Sequence, residues 1–240
     1  MISIIRPSVK IIDALSSENV LRKLNRSARK CYQSEPKDTP DENLVRSIIK
    51  SGHTSVLEHV SFTFDIITDR GVLAELTRHR MAGYSVESTR YCKYNNKDMV
   101  FIEPVTIKQN DSLYDIWRNT CLTSEMAYNE LMAKGAKAQE ARQVLNNSLK
   151  VEIRMTVNIR SLRNVFTLRC HHDAHPHIKQ IFIPLLLRLR QDYPVIFDGI
   201  EYDEEFCEKY LMNEDGSINI DVSYETEFDP KVTRLEIMEG

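Results

Sequence analysis

The clearest regularity in this chain is an alternation of apolar and polar residues in which Phe62, Phe64 and Ile66 share one face. A period of two is typical of a β-strand with one buried side. Other short stretches rich in β-branched or aromatic residues indicate further strands, and Pro7 is expected to interrupt the first because proline cannot donate to a ladder. The predicted strands are residues 2–12, 60–68, 88–94 and 151–157.

Longer stretches repeat their apolar residues at intervals of three and four, which indicates one face of an amphipathic helix. Leu21, Leu24 and Ala28 follow this spacing. Gly135 is expected to end the longest helix, and Pro184 is expected to kink the last one. A polar segment with two prolines, residues 33–41, is predicted to be a loop. The predicted helices are residues 17–31, 41–51, 71–79, 111–134, 136–145, 161–169 and 176–193.

The order of these elements predicts a mixed α+β fold. Strands and helices do not alternate regularly, and the chain contains no Gly-x-Gly-x-x-Gly sequence, so a Rossmann crevice for a dinucleotide is not expected. Residues 1–200 are predicted to form a single domain. Residues 201–240 are acidic and poor in apolar side chains, and we expect a peripheral extension or a mobile tail there.

Composition narrows the class of protein. The chain has 240 residues, of which 42% are hydrophobic, and this is enough for a substantial core. Its net charge of −3 argues against a protein that coats nucleic acid. Five cysteines without a Cys-x-x-Cys pair predict reduced thiols and a cytoplasmic location. No run approaches about 20 apolar residues and the apolar N-terminal run is short, so neither a membrane span nor a signal peptide is expected.

A short segment rich in cations supplies the first candidate site. Arg78, His79 and Arg80 are followed, eight residues after Arg80, by Ser88 and then Arg90. Arginine binds phosphate through parallel hydrogen bonds, and a serine hydroxyl can add a donor. Apolar residues are interspersed with these cations, as in a half-buried segment, and buried cations need anionic partners. The segment therefore predicts an anion site, in the first instance for phosphate.

This segment resembles the signature Arg-His-Arg-x-x-Ser-x-x-x-x-Ser-x-Arg-Tyr of the flavin-dependent thymidylate synthases. Gly83 and Val86 depart from it, at positions where a serine and a Glu or Gln are usual. Three other motifs of that family are matched in the right order. They are His53-Thr54-Ser55-Val56-Leu57-Glu58-His59, Glu140-Ala141-Arg142, and Asn158-Ile159-Arg160-Ser161-Leu162-Arg163-Asn164 with Arg169.

The resemblance implies a single-domain α+β fold with long helices and an antiparallel-rich sheet, unlike the Rossmann fold. It implies methylation of dUMP to dTMP, with 5,10-methylenetetrahydrofolate as carbon donor, tightly bound FAD, and NADPH as reductant. It also implies a homotetramer whose sites are built between subunits, with the Arg-His-Arg segment and the Arg169 helix coming from different chains.

The matched positions imply residue roles. Arg169 is expected beside the uracil ring, where a fixed guanidinium stabilises negative charge as C5 becomes nucleophilic, an effect worth ~3 kcal/mol in comparable sites. Ser88 and Arg90, on one face of the predicted strand 88–94, would hold the 5′-phosphate. The substrate-binding set is Glu75, Arg78, Glu87, Ser88, Thr89, Arg90, Arg142 and Arg169. The flavin-binding set is His53, Ser55, Arg78, His79, Arg80, Asn158, Arg160 and Asn164.

Some of these residues have an alternative, purely structural interpretation. Arg90 and Arg142 can instead form ion pairs with acidic neighbours. Glu75 can pair with Arg78 on one side of a helix. His53 can be a structural histidine without a part in the chemistry.

Two further features resemble a metal site and a catalytic cysteine, but neither is expected to bind a metal or to act as a nucleophile. The run from His171 to His177 resembles a metal-binding tract, but adjacent histidines point apart on regular backbone and Pro176 interrupts the run, so no metal is expected. His175 and His177 stand where the family usually has Gln and Glu. Nothing in the sequence indicates that Cys92 is an activated nucleophile, and the flavin route needs no cysteine thiolate.

The residues leave two other functions open. A relative with the same fold could alkylate another pyrimidine nucleotide, by methylating UMP or by transferring hydroxymethyl to dUMP. A non-catalytic nucleotide- or RNA-binding protein could use the arginines for phosphate, although net negative charge and the lack of an aromatic platform weigh against it.

Overall fold

A computed structural model describes residues 2–12, 14–31, 33–35, 40–95 and 98–225 of the chain. The strands are β1 (Ser3–Ile5), β2 (Ser8–Ile12), β3 (Ser61–Asp69), β4 (Ala82–Val86), β5 (Val100–Ile102), β6 (Lys150–Asn158) and β7 (Asp221–Tyr224). The α-helices are α1 (Ser17–Cys31), α2 (Glu42–Lys50), α3 (Arg70–Leu76), α4 (Asp111–Ala133), α5 (Ala138–Ala141), α6 (Ile159–Arg169), α7 (Pro176–Asp192), α8 (Pro194–Phe197) and α9 (Glu204–Phe206). Short 3-10 segments occupy Thr54–His59, Ile107–Gln109 and Arg142–Val144, and a π-helical turn occupies Cys207–Leu211.

A five-stranded sheet with the strand order β4-β6-β3-β2-β7 forms the centre of the fold. β3 pairs antiparallel with both β2 and β6, and β4 pairs antiparallel with β6. β7 runs parallel to β2, and β1 and β5 form a separate parallel pair. This topology confirms the predicted α+β class with an antiparallel-rich sheet.

The two faces of the large sheet differ as the alternation predicts. Phe62, Phe64 and Ile66 of β3 are at most 1% exposed. On the other face, Asp65 accepts two hydrogen bonds from Arg154 of β6, at 2.7 and 2.6 Å. One face of the sheet therefore belongs to the core, and the other carries polar groups and ion pairs.

Helix α7 is the most deeply buried helix beside this sheet, and it contacts β2, α6 and α8. Residues 178–186 of this helix are all buried. Burial of each large aliphatic or aromatic side chain there stabilises the fold by about 1.5–3 kcal/mol. The helix continues through Pro184 to Asp192, and the predicted kink stays a prediction.

Helix α4 covers a second, smaller core that contains Phe101 and Leu149. Four of its 23 residues are buried, and Leu113, Ile116 and Met126 are at least half exposed. Among the described residues, no helix combines the length and the apolar character that crossing a membrane requires.

Most of the long elements agree with the sequence pattern. The chain is interrupted at Pro7, so that β1 and β2 belong to different sheets. Asp41 caps α2 by accepting a hydrogen bond from the Leu44 N–H at 3.1 Å. The predicted strands at 60–68 and 151–157 and the predicted helices at 17–31, 41–51, 111–134, 161–169 and 176–193 are confirmed within three residues at each end. Residues 36–39 of the predicted loop lie outside the described residues.

The predicted strand at 88–94 is wrong. The Ser88 carbonyl accepts hydrogen bonds from the N–H groups of Tyr91 (3.2 Å) and Cys92 (2.9 Å), so the backbone turns there. The strand that pairs with β6 lies just before this turn, from Ala82 to Val86. Threonine and tyrosine favour strands, but the turn bonds outweigh that preference at this position.

Two predicted helices are shorter than expected. α3 ends at Leu76 rather than residue 79, because the N–H groups of Arg78 and His79 bond three residues back, to Glu75 and Leu76, and so tighten the chain into a turn. The helix predicted at 136–145 is limited to α5 and the 3-10 segment after it.

The predicted peripheral or mobile C-terminal segment packs against the core as far as residue 225. Phe206, Leu211 and Ile220 are buried in the main core, and β7 extends the sheet beside β2. Lys179 of α7 donates a hydrogen bond of 2.7 Å to Asp203 at the start of this segment. The acidic composition concealed these contacts because a few apolar residues are enough to anchor a segment. Residues 226–240 lie outside the described residues, and a domain boundary at residue 200 stays a prediction.

Candidate active site

A cavity of about 510 Å³ lies between the segment after α3, the end of β6 and the outer face of α6. The first turn of α6 is fixed because the Asn158 side chain accepts a hydrogen bond of 2.9 Å from the Ser161 N–H. Arg160, Asn164 and Leu168 follow at intervals of four, so they share one face of the helix, and all three line the cavity.

The Arg-His-Arg segment borders the same cavity. The Tyr84 hydroxyl lies 2.8 Å from the Leu76 carbonyl oxygen and 3.0 Å from that of His79, and it tethers the segment to the end of α3. Burial raises the pKa of Tyr84 to about 12, so this hydroxyl stays a donor at neutral pH. Within the described chain, the exposed Arg78 and Arg80 guanidiniums have no hydrogen-bond or ion-pair partner. These two cations are therefore available for an anionic ligand.

Three hydrogen bonds fix Arg169, the last residue of α6. Its Nη1 donates to Glu75 Oε2 at 3.1 Å, its Nη2 donates to the Glu75 carbonyl oxygen at 3.1 Å, and its Nε donates to His79 Nε2 at 2.9 Å. The Arg169 side chain is 20% exposed and lines the cavity. A cation is thus held in one orientation at the wall of the cavity.

The hydrogen bond from Arg169 indicates the protonation state of the His79 ring. Because His79 Nε2 accepts a hydrogen bond, this nitrogen carries no proton. Burial, and secondly the positive charge of Arg169, hold the pKa of His79 below its ordinary value. The imidazole is therefore neutral at pH 7 and serves as an acceptor.

A single chain brings Arg169 to the Arg-His-Arg segment, which contradicts the expectation that they come from different chains. The physical reason is the strand pairing. Ala82 at the start of β4 lies opposite Val157 near the end of β6. The segment before β4 and the helix after β6 therefore start from the same end of the sheet.

The residues expected at the phosphate form a second group. Arg142 Nη1 lies 3.4 Å from Thr89 Oγ1, and Arg90 Nε donates to Gln139 Oε1 at 3.2 Å. The Arg90 N–H donates to Ser88 Oγ at 3.3 Å, so a turn, not strand alternation, brings this serine and arginine together. In the part of the chain that is described, no acidic side chain pairs with Arg90 or Arg142. This contradicts the alternative interpretation in which the two arginines form structural ion pairs.

Contacts of Glu87 with neighbouring residues support this second group. Its carboxylate accepts hydrogen bonds from the Tyr94 hydroxyl (2.8 Å) and the Glu152 N–H (3.3 Å), and Lys150 Nζ lies 3.2 Å away. Burial alone would raise the pKa of Glu87, but the Tyr94 hydrogen bond and the Lys150 charge hold it below its usual value. The Arg70 guanidinium also donates to the Glu87 carbonyl oxygen, at 3.1 Å. The Glu87 carboxylate is thus engaged within the protein.

His53 and Ser55 stand apart from the other expected flavin residues. Both are exposed near the start of the 3-10 segment Thr54–His59, and neither lines the 510 Å³ cavity. That segment packs against α6 and is linked to it by an ion pair between Glu58 and Arg160. Their distance from a flavin is therefore not fixed by this chain alone.

Arg90 and Arg169 line different cavities of the same chain. Arg90, Tyr91 and Gln139 border a separate cavity of about 420 Å³. Residues on both cavities expose large apolar side chains, Met81 at 72%, Tyr91 at 74% and Leu168 at 53%. Exposed apolar groups of this size commonly become buried in a protein–protein contact.

The histidine tract differs from expectation in one respect. The rings of His171 and His172 do not point apart, since their centroids lie 4.0 Å from each other. The tract forms a turn rather than regular backbone, which permits this arrangement. Together with Asp173 they form an exposed group whose potential ligand atoms lie within 4.8 Å of one another. The expectation of no metal stays a prediction.

The cysteines form no disulfide in the described residues, and three of them are buried. Burial raises the pKa of the Cys121, Cys170 and Cys207 thiols. These thiols are therefore poor nucleophiles. Cys92 is partly buried in the turn after Arg90.

Three residues with clear positioning contacts were not predicted from the sequence. Tyr84 lies inside the signature but was not singled out, and Glu58 lies inside a matched motif. Tyr94 contacts Glu87 across a turn. The motifs indicated where Tyr84 and Glu58 lie in sequence, but only the folded chain shows which groups they hold.

Known proteins share long stretches of this sequence. A family model described as "Thymidylate synthase complementing protein" matches residues 11–195. The flavin-dependent thymidylate synthase of Geobacter sulfurreducens is 33% identical over 180 residues, which cover 71% of this chain and 78% of that protein. The enzyme of that name from Mycobacteroides abscessus is 32% identical over 195 residues (73% and 77%), and that from Pyrococcus furiosus is 34% identical over 143 residues (58% and 59%).

A solved structure extends the comparison to the fold. The UMP/dUMP methylase PolB from Streptomyces cacaoi, bound with 5-Br dUMP, is 20% identical and superposes with a TM-score of 0.69 over 87% of this chain and 98% of that chain. The fold and the sequence matches define an enzyme of the flavin-dependent, nucleotide-methylating class. The chain belongs to the flavin-dependent thymidylate synthase family.

Proposed function

We propose that this protein methylates dUMP at C5 to give dTMP, with 5,10-methylenetetrahydrofolate as carbon donor, bound FAD, and NADPH as the source of electrons. One observation carries the proposal: the hydrogen bonds of Arg169 to Glu75 and His79 hold a guanidinium at the wall of a cavity bordered by the Arg-His-Arg segment. A pyrimidine whose C5 must become nucleophilic needs a fixed positive charge of this kind.

The residues around the 510 Å³ cavity suit FAD. Arg78 and Arg80 carry exposed charges that suit a pyrophosphate. The Asn164 amide and the amide nitrogen of Asn158 suit the polar edge of an isoalloxazine ring. When bound, FAD would supply the redox chemistry that the protein side chains lack.

The role of Arg169 in this reaction is electrostatic stabilisation. Its three hydrogen bonds hold the guanidinium cation in one orientation. Beside the pyrimidine carbonyl groups it would stabilise the negative charge that builds up as C5 attacks the carbon donor. No cysteine attack on C6 is required in this scheme.

The second group of residues is assigned to the nucleotide 5′-phosphate. Arg90 and Arg142 have no acidic partner among the described residues. Ser88 and Thr89 belong to the same turn as Arg90, and Arg142 approaches Thr89 from the 3-10 segment Arg142–Val144. The Glu87 contacts hold that turn against β6. A fixed turn with Arg90 and two hydroxyls, and with Arg142 beside it, can bind a phosphate without prior rearrangement.

One nucleotide must reach both groups, although Arg90 and Arg169 line different cavities of one chain. We therefore propose a homotetramer in which Arg90 of one subunit faces Arg169 of another. The exposed Met81, Leu168 and Tyr91 beside the two cavities support this assembly, because contact between subunits would bury them. The unpaired thiols fit a protein of the cytoplasm.

The test is a reaction with FAD-loaded protein, dUMP, methylenetetrahydrofolate and NADPH, followed by identification of the product by mass. The proposal predicts dTMP that depends on all four components, and bleaching of the yellow flavin by NADPH. A protein that cannot be loaded with FAD, or that yields no C5-alkylated nucleotide, contradicts it.

A second candidate substrate is UMP, since the solved relative PolB is described as acting on both UMP and dUMP. Parallel reactions with UMP and dUMP would separate the two substrates. The product mass would also separate methyl transfer from hydroxymethyl transfer. A product from UMP at a higher rate than from dUMP would replace the proposed substrate.

Replacement of Cys92 tests the absence of a thiolate nucleophile. Cys92→Ala is expected to retain dTMP formation within about twofold, because the route through a flavin forms no enzyme–nucleotide thioether. The measurement is the rate of dTMP formation together with the dUMP dissociation constant. Loss of turnover with intact flavin and nucleotide binding would show that Cys92 takes part.

A further inference from the structure

Two histidines at the start of α7 have no part in the function proposed above. His175 Nδ1 lies 3.1 Å from Glu75 Oε1, and His177 Nδ1 lies 2.7 Å from Asp69 Oδ2. The two rings lie side by side, with centroids 5.0 Å apart. Both histidines therefore face carboxylates that belong to α3 or to its cap.

These contacts hold the two ends of α3. Asp69 caps the helix, because its other carboxylate oxygen accepts a hydrogen bond of 2.8 Å from the Val72 N–H. Glu75 lies in the last turn, directly before the Arg-His-Arg segment. Helix α7 is anchored in the core, so its first turn is a rigid support for α3.

Glu75 connects His175 to the candidate catalytic arginine. One oxygen of its carboxylate faces His175, and the other accepts a hydrogen bond from Arg169. A carboxylate held at both oxygens cannot rotate freely, and so it fixes its partner. Without His175, Arg169 would be the one ion-pair partner of Glu75 among the described residues, and the Glu75 side chain could adopt other rotamers.

We propose that His175 is a positioning residue, which acts through Glu75 to keep the Arg169 guanidinium in the orientation that the reaction needs. The proposal rests on the function proposed above, in which Arg169 contacts the pyrimidine. It gives His175 a role as a support for the site.

Substitutions at position 175 test this role in the FAD-loaded enzyme. His175→Ala is expected to lower kcat for dTMP formation about tenfold, because the Glu75 carboxylate loses the ring contact that restrains it, and to leave FAD binding unchanged. His175→Asn places an amide nitrogen close to the position of Nδ1 and is expected to restore most of the rate. His172→Ala is the matched control from the same tract, because the charged contact of its ring is with exposed Asp173; it should retain the full rate.

A double variant separates positioning from a general loss of stability. The Arg169→Lys variant lacks the planar guanidinium and its fixed set of donors. In this background the His175→Ala change should lower kcat by less than twofold, because the geometry that His175 supports is already lost. A tenfold loss in both backgrounds would overturn the proposal, and so would a wild-type rate in His175→Ala.

A crystal structure of the His175→Ala protein provides a measurement that does not depend on the reaction. The Glu75 carboxylate and the Arg169 guanidinium are expected to occupy more than one arrangement. Unchanged, fully ordered positions of both would overturn the positioning role, whatever the enzyme's substrate proves to be.

If wild-type protein forms no alkylated nucleotide while the crystal shows the expected disorder, the proposed function fails and the positioning contact stands. If His175→Ala does not fold, the comparison of His175→Asn with wild type decides, since a tenfold loss in His175→Asn would also contradict the proposal.

Discussion

At the scale of single residues, the site depends on one cation with a fixed direction. Arg169 donates to Glu75 and His79 through all three of its guanidinium nitrogens. A lysine at the same position would keep the charge but would present a compact ammonium on a flexible stem. The direction of the donors, rather than the charge alone, is therefore what this arrangement provides.

Arg169→Lys tests the importance of that direction. We expect kcat for dTMP formation to fall about a hundredfold, since a preorganised donor at the reacting ring is lost, while FAD binding changes little. Steady-state kinetics and flavin absorbance measure the two effects. Arg154→Lys is a suitable control because this arginine lies on the polar face of the sheet, paired with Asp65. An Arg169→Lys enzyme with a near-normal kcat would contradict the claim that the direction of the guanidinium donors matters.

The state of His79 gives a pH dependence with a definite sign. The pKa of His79 is lowered in the folded protein by burial and by Arg169, so the unfolded chain binds the proton more readily. The group that contacts the ring is Arg169 from α6, and the Tyr84 hydroxyl from β4 lies against the His79 carbonyl. The stability that depends on the neutral ring is complete above about pH 6.5 and is lost as the pH falls through the lowered pKa.

Denaturant unfolding between pH 5 and 7.5 measures this effect. The free energy of unfolding should fall towards pH 5 in the wild type and fall less in His79→Gln, which keeps an acceptor without a titrating group. Identical pH profiles for both proteins would show that His79 does not titrate in this range.

At the scale of elements, the long periodic segments could be predicted and the short ones could not. β3 and β6 alternate over nine residues each, so their register follows from which face is apolar. β4 has only five residues and contains Gly83, so its pattern is weak. The residues of the site were predicted from motifs, but the contact between Arg169 and His79 joins positions 90 residues apart and depends on the pairing of β4 with β6. The anchoring of residues 203–224 depends on a few side chains that composition does not reveal.

Tyr84 tests the link between β4 and the Arg-His-Arg segment. Tyr84→Phe removes the hydroxyl that lies against the carbonyl groups of Leu76 and His79, which should loosen the segment after α3. We expect FAD binding to weaken by about tenfold, from the loss of the hydrogen bond that the Tyr84 hydroxyl shares between the two carbonyl groups, with little change in kcat at saturating FAD. Tyr114→Phe on α4, outside the residues that line the cavity, is the control. Unchanged FAD affinity in Tyr84→Phe would show that the segment is held by other contacts.

At the scale of the whole molecule, the proposed function divides the site of one chain into two halves, each incomplete by itself. The half that contains Arg169 offers a guanidinium, two exposed arginines and amides. The half that contains Arg90 offers the proposed phosphate ligands, next to Glu87, which contacts β6. The span from base to phosphate within one nucleotide is limited, so the proposed function requires the two halves to meet across a subunit contact around a single dUMP. This requirement is the central claim of the proposed function.

The most direct measurement is complementation between two inactive variants. Arg90→Ala keeps Arg169, and Arg169→Ala keeps Arg90, so a site formed between one subunit of each kind contains both intact arginines. After the two proteins are mixed under conditions that exchange subunits, about a quarter of the wild-type dTMP-forming activity should return, as random pairing restores about one site in four. If exchange is demonstrated and no activity returns, the two arginines act within one chain, and a site shared between subunits is contradicted.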